Sequence, residues 1–207
     1  MSDSQVRTIY GMLSFKHRSK VLKQLRKTAS PELHGHQIWQ SCYMIMEYLE
    51  QHPPAEQTNI LEIGCGWGML GIYCAKNFNA QVTLTDADAN VFPYAHAHAD
   101  LNQAQVSTKH LAFSEIGESE LKDKQILIGS DICFWPEIVK PLQALLTRAI
   151  QSGVKKILIA DPGRHPFLRL AEYFVTEHNA KLLSWTLDNG TKNHGKILLI
   201  ETGNAPA

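Results

Sequence analysis

The sequence predicts an α/β chain: a three-layer sandwich around a seven-stranded, mostly parallel sheet that ends in an antiparallel C-terminal hairpin strand. Three features point there. Short apolar runs alternate with helical segments from Pro54 onward. A glycine-rich turn, Gly64-Cys65-Gly66-Trp67-Gly68, follows the first run. Turn residues alone, with no helix, separate the last two runs. With 207 residues, 44% of them hydrophobic and 19% charged, one domain suffices to bury a core.

In chain order, residues 1–30 carry seven Lys/Arg against one Asp, although the whole chain is formally neutral. From Ser14 to Lys27, Val21, Leu22 and Leu25 are interleaved with Lys16, Arg18, Lys20, Lys23, Arg26 and Lys27, the pattern of a basic amphipathic helix. Residues 1–30 are therefore expected to form a basic helical extension, and 31–207 the main domain. Such a helix face suits water, nucleic acid, an acidic protein or the protein's own acidic body, and charge alone does not choose. Residues 36–51 place Ile38, Cys42, Ile45 and Leu49 on one face of a core helix, which Pro53-Pro54 ends.

Strands are expected at 59–63, 81–85, 106–112, 125–128, 156–160, 181–186 and 196–201, with helices near 69–77, 89–102, 137–152 and 165–178. The first five strands alternate with helices and should be parallel. Asp188-Asn189-Gly190 and Gly195 signal a hairpin that puts an antiparallel strand at or near the sheet edge.

Several function classes find no support. The longest apolar stretches are too short to cross a bilayer, and the first thirty residues lack a signal-peptide core, so a cytoplasmic protein is expected. Cys42, Cys65, Cys74 and Cys133 lack metal-motif spacing and read as buried thiols. Histidines two apart on a helix point to different sides, so His96/His98 reads as surface histidine and no metal is expected. A Gly-x-Ser-x-Gly nucleophile turn is missing.

The glycine turn carries the chemistry. It lies between a strand and a helix start, where the backbone must turn tightly, admit a ligand closely and present free N–H groups. Asp86, 22 positions after Gly64, ends the second strand, where a carboxylate can accept both hydroxyls of a ribose. Dinucleotide loops read G-x-G-x-x-G/A, whereas this one reads G-x-G-x-G with Met69 in the sixth place. The stretch Leu61 to Ile72 resembles instead the first motif of class I, seven-β-strand, Rossmann-like methyltransferases. That resemblance implies S-adenosyl-L-methionine as cofactor, with Glu62, Gly64, Cys65, Gly66 and Gly68 around its methionine half and Asp86 on its ribose. Asp88 is expected either beside the ribose and adenine or as the cap of the next helix. Phe113 is expected as an adenine wall or as plain core.

Beyond that motif the chain from about Gly35 to Glu201 resembles the seven-strand protein-lysine methyltransferases called methyltransferase family 16. The residues concerned are His36-Gln37-Ile38-Trp39, Gly71-Ile72-Tyr73, Leu84-Thr85-Asp86, Asp161-Pro162-Gly163-Arg164 and, above all, Asp131-Ile132-Cys133-Phe134, which is similar to the family's acid-x-x-aromatic motif. The resemblance implies that Trp39 closes the cofactor pocket and that Asp131, Phe134 and Trp135 present the acceptor amine. Many members carry Tyr where this chain has Phe134. In-line methyl transfer needs a neutral amine held against the sulfonium carbon. A carboxylate can orient that amine, while the cofactor's positive charge and desolvation lower its pKa. Asp131 also suits a helix cap, and Arg164 is expected either in a substrate role or as no more than a surface residue on a turn.

The partner implied is a protein lysine, with no membrane. A small-molecule N-methyltransferase shares the same pocket type. A nucleic-acid methyltransferase gains support from the basic segment but lacks the Asp/Asn-Pro-Pro-aromatic motif of amino-base enzymes. A catalytically idle fold is disfavoured by the intact glycines and Asp86.

Overall fold

The computed structural model describes residues 5–188 and 193–203. The chain opens with an antiparallel hairpin, β1 (Val6–Ile9) and β2 (Met12–Phe15), followed by α1 (Lys20–Thr28). Helix α2 (Ser41–Gln51) precedes the main sheet. Then come β3 (Asn59–Ile63), α3 (Met69–Phe78), β4 (Gln81–Asp86), α4 (Phe92–Asn102), β5 (Val106–His110), α5 (Glu118–Leu121), β6 (Ile126–Ser130), α6 (Pro136–Gln151), β7 (Lys156–Asp161), α7 (His165–His178), β8 (Lys181–Thr186) and β9 (His194–Glu201).

The seven strands β3 to β9 form one sheet in the order β5-β4-β3-β6-β7-β9-β8. The first five are parallel, and β9 runs antiparallel to both neighbours. The antiparallel strand thus lies one place in from the edge, with β8 outermost. Asn189 and Gly190 of the expected turn lie outside the described residues. Alternation along the strands feeds two cores: Ile60, Leu84 and Ile128 pack under α2, α3 and α4, while Leu61, Ile63 and Leu127 pack under α6 and α7. Because the chain moves from β3 outward to β5 and returns to the other side of β3 as β6, a crevice opens at the carboxyl ends of β3 and β6.

The N-terminal region differs from expectation. Tyr10 and Gly11 both have positive φ (52° and 69°), as a tight two-residue hairpin turn requires, so Ser14 and Phe15 belong to a strand. The helix starts only at Lys20, where the Ser19 hydroxyl accepts from Leu22 N at 3.2 Å. Neither element hangs free: Phe15 and Leu22 pack with Trp67 and Tyr94. The expected helix at 36–51 likewise begins only at Ser41, and Ile38 and Trp39 belong to the segment that leads into it. His98 is fully buried rather than superficial, because it faces this hairpin: its ring meets Phe15 edge-on at 5.2 Å. Burial pushes its pKa down to about 4. All four cysteines are buried and unpaired.

Candidate active site

A cavity of about 360 Å³ occupies the crevice at the β3/β6 switch. One half is built by backbone. Gly64, Gly66 and Gly68 have φ of 59°, 51° and 70°, a left-handed run that side chains resist. A Cβ on Gly64 would approach Ile132 Cγ2 to 2.6 Å, and one on Gly68 would meet Leu84 Cδ1 at 2.7 Å. A Cβ on Gly66 would meet nothing, since that position opens on empty space. Trp67 clamps the loop from behind, stacked on Tyr94 at 5.1 Å and on His98 at 5.3 Å, its indole N–H donating to Gly35 O at 2.8 Å.

Two carboxylates face this half. Asp86 accepts from Gly66 N and Asp88 N, each at 2.9 Å, and burial holds its carboxyl above the usual range against those bonds. Glu62 Oε2 accepts from Gly71 N at 2.8 Å, whereas its Oε1 has no donor among the described residues. Burial pushes Glu62 up to about 8.

The other half is built from side chains. Asp131 directly follows β6 with φ 54°, a conformation Asp tolerates better than most residues, and its N–H extends the ladder to Ala160 O at 2.9 Å. Its Oδ2 accepts from Ser41 N at 3.0 Å, satisfying the start of α2, and its Oδ1 accepts from Arg164 Nη1 at 2.8 Å. Asp131 therefore caps α2 from a distance and not α6, whose cap position is Trp135. The same Arg164 nitrogen donates to Asp161 Oδ2 at 2.7 Å, so Arg164 is no bystander on a turn. Its guanidinium lies 4.2 Å from the Phe134 ring centre and 5.9 Å from that of Trp39. His34 stacks on Phe134 at 4.3 Å and accepts the Trp39 indole N–H at its carbonyl, at 3.0 Å. Leu33 and Trp135, 56% and 46% exposed, form the lip.

The cavity brings together Trp39, Glu62, Gly64, Cys65, Gly66, Gly68, Asp86, Phe113, Asp131, Phe134 and Trp135. Asp88 does not line it: its Oδ2 accepts from Glu32 N at 2.6 Å and its Oδ1 from Asn90 N at 2.9 Å, so it caps the 3₁₀ turn Ala89–Val91. Sequence reasoning passed over His34, whose signal was only its place before Trp39, and it left the bridging role of Arg164 unread. Among the described residues no cluster of His, Cys, Asp and Glu could hold a metal.

A seven-stranded sheet with this strand order, a glycine loop after β3 and an acid at the end of β4 defines a class I methyltransferase. Comparison with known proteins agrees. A family model described as lysine methyltransferase matches residues 16–174. The electron transfer flavoprotein beta subunit lysine methyltransferase of Xenopus laevis is 26% identical over 163 residues, 76% of this chain and 63% of that protein. The ribosomal protein L11 methyltransferase of Hydrogenovibrio crunogenus is 26% identical over 137 residues, 65% of this chain and 46% of that protein. The chain spans less than two thirds of the length of these relatives. Among solved structures, the METTL16 methyltransferase domain superposes with a TM-score of 0.63 at 11% identity, covering 97% of this chain and 88% of that one. The precorrin-6y C5,15-methyltransferase of Geobacter metallireducens gives 0.61 at 13% identity, covering 85% and 94%.

The chain belongs to the lysine methyltransferase family. S-adenosylmethionine is the methyl donor of that class, and the residues present fit it. The space beyond Gly66, the donor-free Glu62 oxygen and the Asp86 carboxylate match a group with an ammonium and a ribose diol.

Proposed function

We propose that the protein transfers the methyl group of S-adenosylmethionine to the side-chain amine of a lysine in a protein substrate. The single observation that carries this reading is that the glycine loop and the Asp131/Phe134 cluster line one continuous cavity, so donor and acceptor share a space. When bound, the cofactor supplies an electrophilic methyl on a positively charged sulfur.

The chain's own residues do the rest. Asp86 accepts the ribose hydroxyls, Glu62 receives the cofactor's ammonium, Gly64, Cys65, Gly66 and Gly68 admit its methionine half, and Phe113 walls the adenine. Trp39 closes the site. Asp131 accepts a hydrogen bond from the incoming amine and so aims its lone pair along the line of displacement. Phe134 and Trp135 sheathe the apolar stem of the lysine. The new N–C bond forms as the C–S bond breaks, and the proton of the methylated ammonium leaves to solvent. A lip of exposed Leu33 and Trp135 supports a macromolecular acceptor, since it offers apolar surface outside the reaction space. Residues 31–207 carry this chemistry, and within 1–30 the β1–β2 hairpin and α1 brace it through Phe15 and Leu22, which pack with Trp67 and Tyr94. A cytoplasmic location belongs to the same proposal, supported by four unpaired thiols.

Incubating the protein with labelled donor and cell extract tests this. Label on lysine in a protein band, located by peptide mass spectrometry, is the expected result. Label confined to nucleic acid or to small molecules would overturn the protein-lysine assignment.

A further inference from the structure

The acceptor half already contains a cation. Asp131 and Asp161 are 5% and 0% exposed, and between them stands the Arg164 guanidinium, with one nitrogen bridging both carboxylates. Arg164 does not line the cavity itself. It reaches the acceptor slot through two residues that do, the Asp131 carboxylate and the Phe134 ring.

We propose that Arg164 is the positioning residue that makes this slot take a neutral amine in preference to an ammonium; the proposal rests on the amine-methylation reading above. Two buried carboxylates without a counter-cation would hold an entering ammonium firmly, and an ammonium has no lone pair with which to attack. Arg164 fills the cation position permanently, because a guanidinium does not lose its proton in proteins. The Asp131 carboxylate then keeps its capacity to accept a hydrogen bond from the amine, while the net pull on a second positive charge is weakened. The aromatic face of Phe134, which would otherwise favour an entering ammonium through its quadrupole, is likewise already engaged by the guanidinium at 4.2 Å.

The other titratable groups near this pair are few. Cys133 lies near Asp161 and Arg164 and is pushed up to about 12 by burial. Cys42 on α2 faces Asp131, with its thiol raised well above the usual range by burial. His34 reaches the slot through the aromatic cluster, stacked on Phe134 at 4.3 Å. Neither thiol supplies charge near neutrality, so the charge state of the slot is set by Asp131, Asp161 and Arg164, with the His34 imidazole as the remaining neighbour.

The test is a charge-selectivity measurement on the protein saturated with S-adenosylhomocysteine at pH 7. Two probes of equal length are titrated, n-butylamine, which is protonated at this pH, and 1-butanol, which is neutral, with indole fluorescence as readout. Arg164→Gln is expected to raise the butylamine-to-butanol affinity ratio about tenfold, Arg164→Lys to leave it near the wild-type value, and Asp161→Asn to lower it. Loss of the 161–164 turn alone would weaken both probes together and leave the ratio fixed. An unchanged ratio in Arg164→Gln with intact S-adenosylhomocysteine binding overturns the role of Arg164 and leaves the methyltransferase reading standing. If Arg164→Gln does not fold, Asp161→Asn decides, and a ratio that stays or rises overturns the proposal. If no variant, nor the wild type, takes either probe, the slot is not an amine site and both readings fall.

Discussion

The two halves of the cavity hold their carboxylates by different means. Glu62 and Asp86 are held by backbone N–H groups of Gly71, Gly66 and Asp88, with no ion pair among the described residues. Asp131 is held by the guanidinium of Arg164, at the start of α7, and by the first N–H of α2. Thus the two carboxylates of the cofactor half and the groups that hold them lie within 27 consecutive residues, from Glu62 to Asp88. The acceptor half exists only when residues near 34–41, 131–135 and 161–164 converge. Damage to the first should weaken cofactor binding; damage to the second should leave binding and strike the chemistry.

The largest effect is expected from Gly64→Ala. It asks for φ 59° from a residue with a Cβ and drives that Cβ to 2.6 Å from Ile132. Calorimetry should show S-adenosylhomocysteine affinity down by about a hundredfold, with turnover falling alongside. Asp131→Asn keeps the shape and the cap on α2 but removes the charge that pairs with Arg164. Single-turnover assays should show methyl transfer slowed by about a hundredfold, the size of effect that misplacing a reacting group produces.

A smaller effect separates the two halves by pH. Glu62 has its pKa raised to about 8 by burial, so in the empty protein near neutrality it is protonated and must lose that proton to meet an ammonium. S-adenosylhomocysteine affinity should therefore rise as pH increases from 6.5 to 8.5, by up to about tenfold per unit below the pKa, and Glu62→Gln should flatten the profile. The sign for stability is opposite. A carboxyl with a raised folded pKa binds its proton more tightly folded than unfolded, so its contribution is full below the ordinary value of 4.5 and is lost as pH rises to about 8.

The smallest effect lies behind the loop. His98 is held neutral, with its pKa lowered from 6.5 to about 4. Its folded form binds the proton less tightly than its unfolded form, so stability falls as pH drops from 6.5 to 4. Denaturant melts of His98→Phe should lack most of that acid-dependent loss, and S-adenosylhomocysteine affinity at pH 7 should change little.

These contrasts also explain what the sequence could reveal. The sheet and its five parallel strands were legible from local signals, short apolar runs alternating with helical segments, and so were the glycine turn and the acid Asp86 at a strand end. Trp39, Glu62, Cys65, Asp131, Phe134 and Trp135 were legible only through the family resemblance. The strand β1–β2 was not, since Tyr10-Gly11 is a weak turn signal and the basic residues that follow imitate a helix face. The start of α2 was misread because the carboxylate that satisfies it, Asp131, is 90 positions away from Ser41. His98 looked superficial because nothing in its neighbourhood names Phe15, 83 positions earlier, as its cover. Asp88 was ambiguous for a like reason: its partner Glu32 N lies 56 positions back.

The most direct test of the divided cavity is a calorimetric titration of S-adenosylhomocysteine into the wild type, Gly64→Ala and Asp131→Asn under one set of conditions. Wild type and Asp131→Asn should bind alike while Gly64→Ala binds about a hundredfold more weakly. If Asp131→Asn loses affinity as severely as Gly64→Ala, or if Gly64→Ala binds like the wild type, the cavity is not divided into a donor half and an acceptor half.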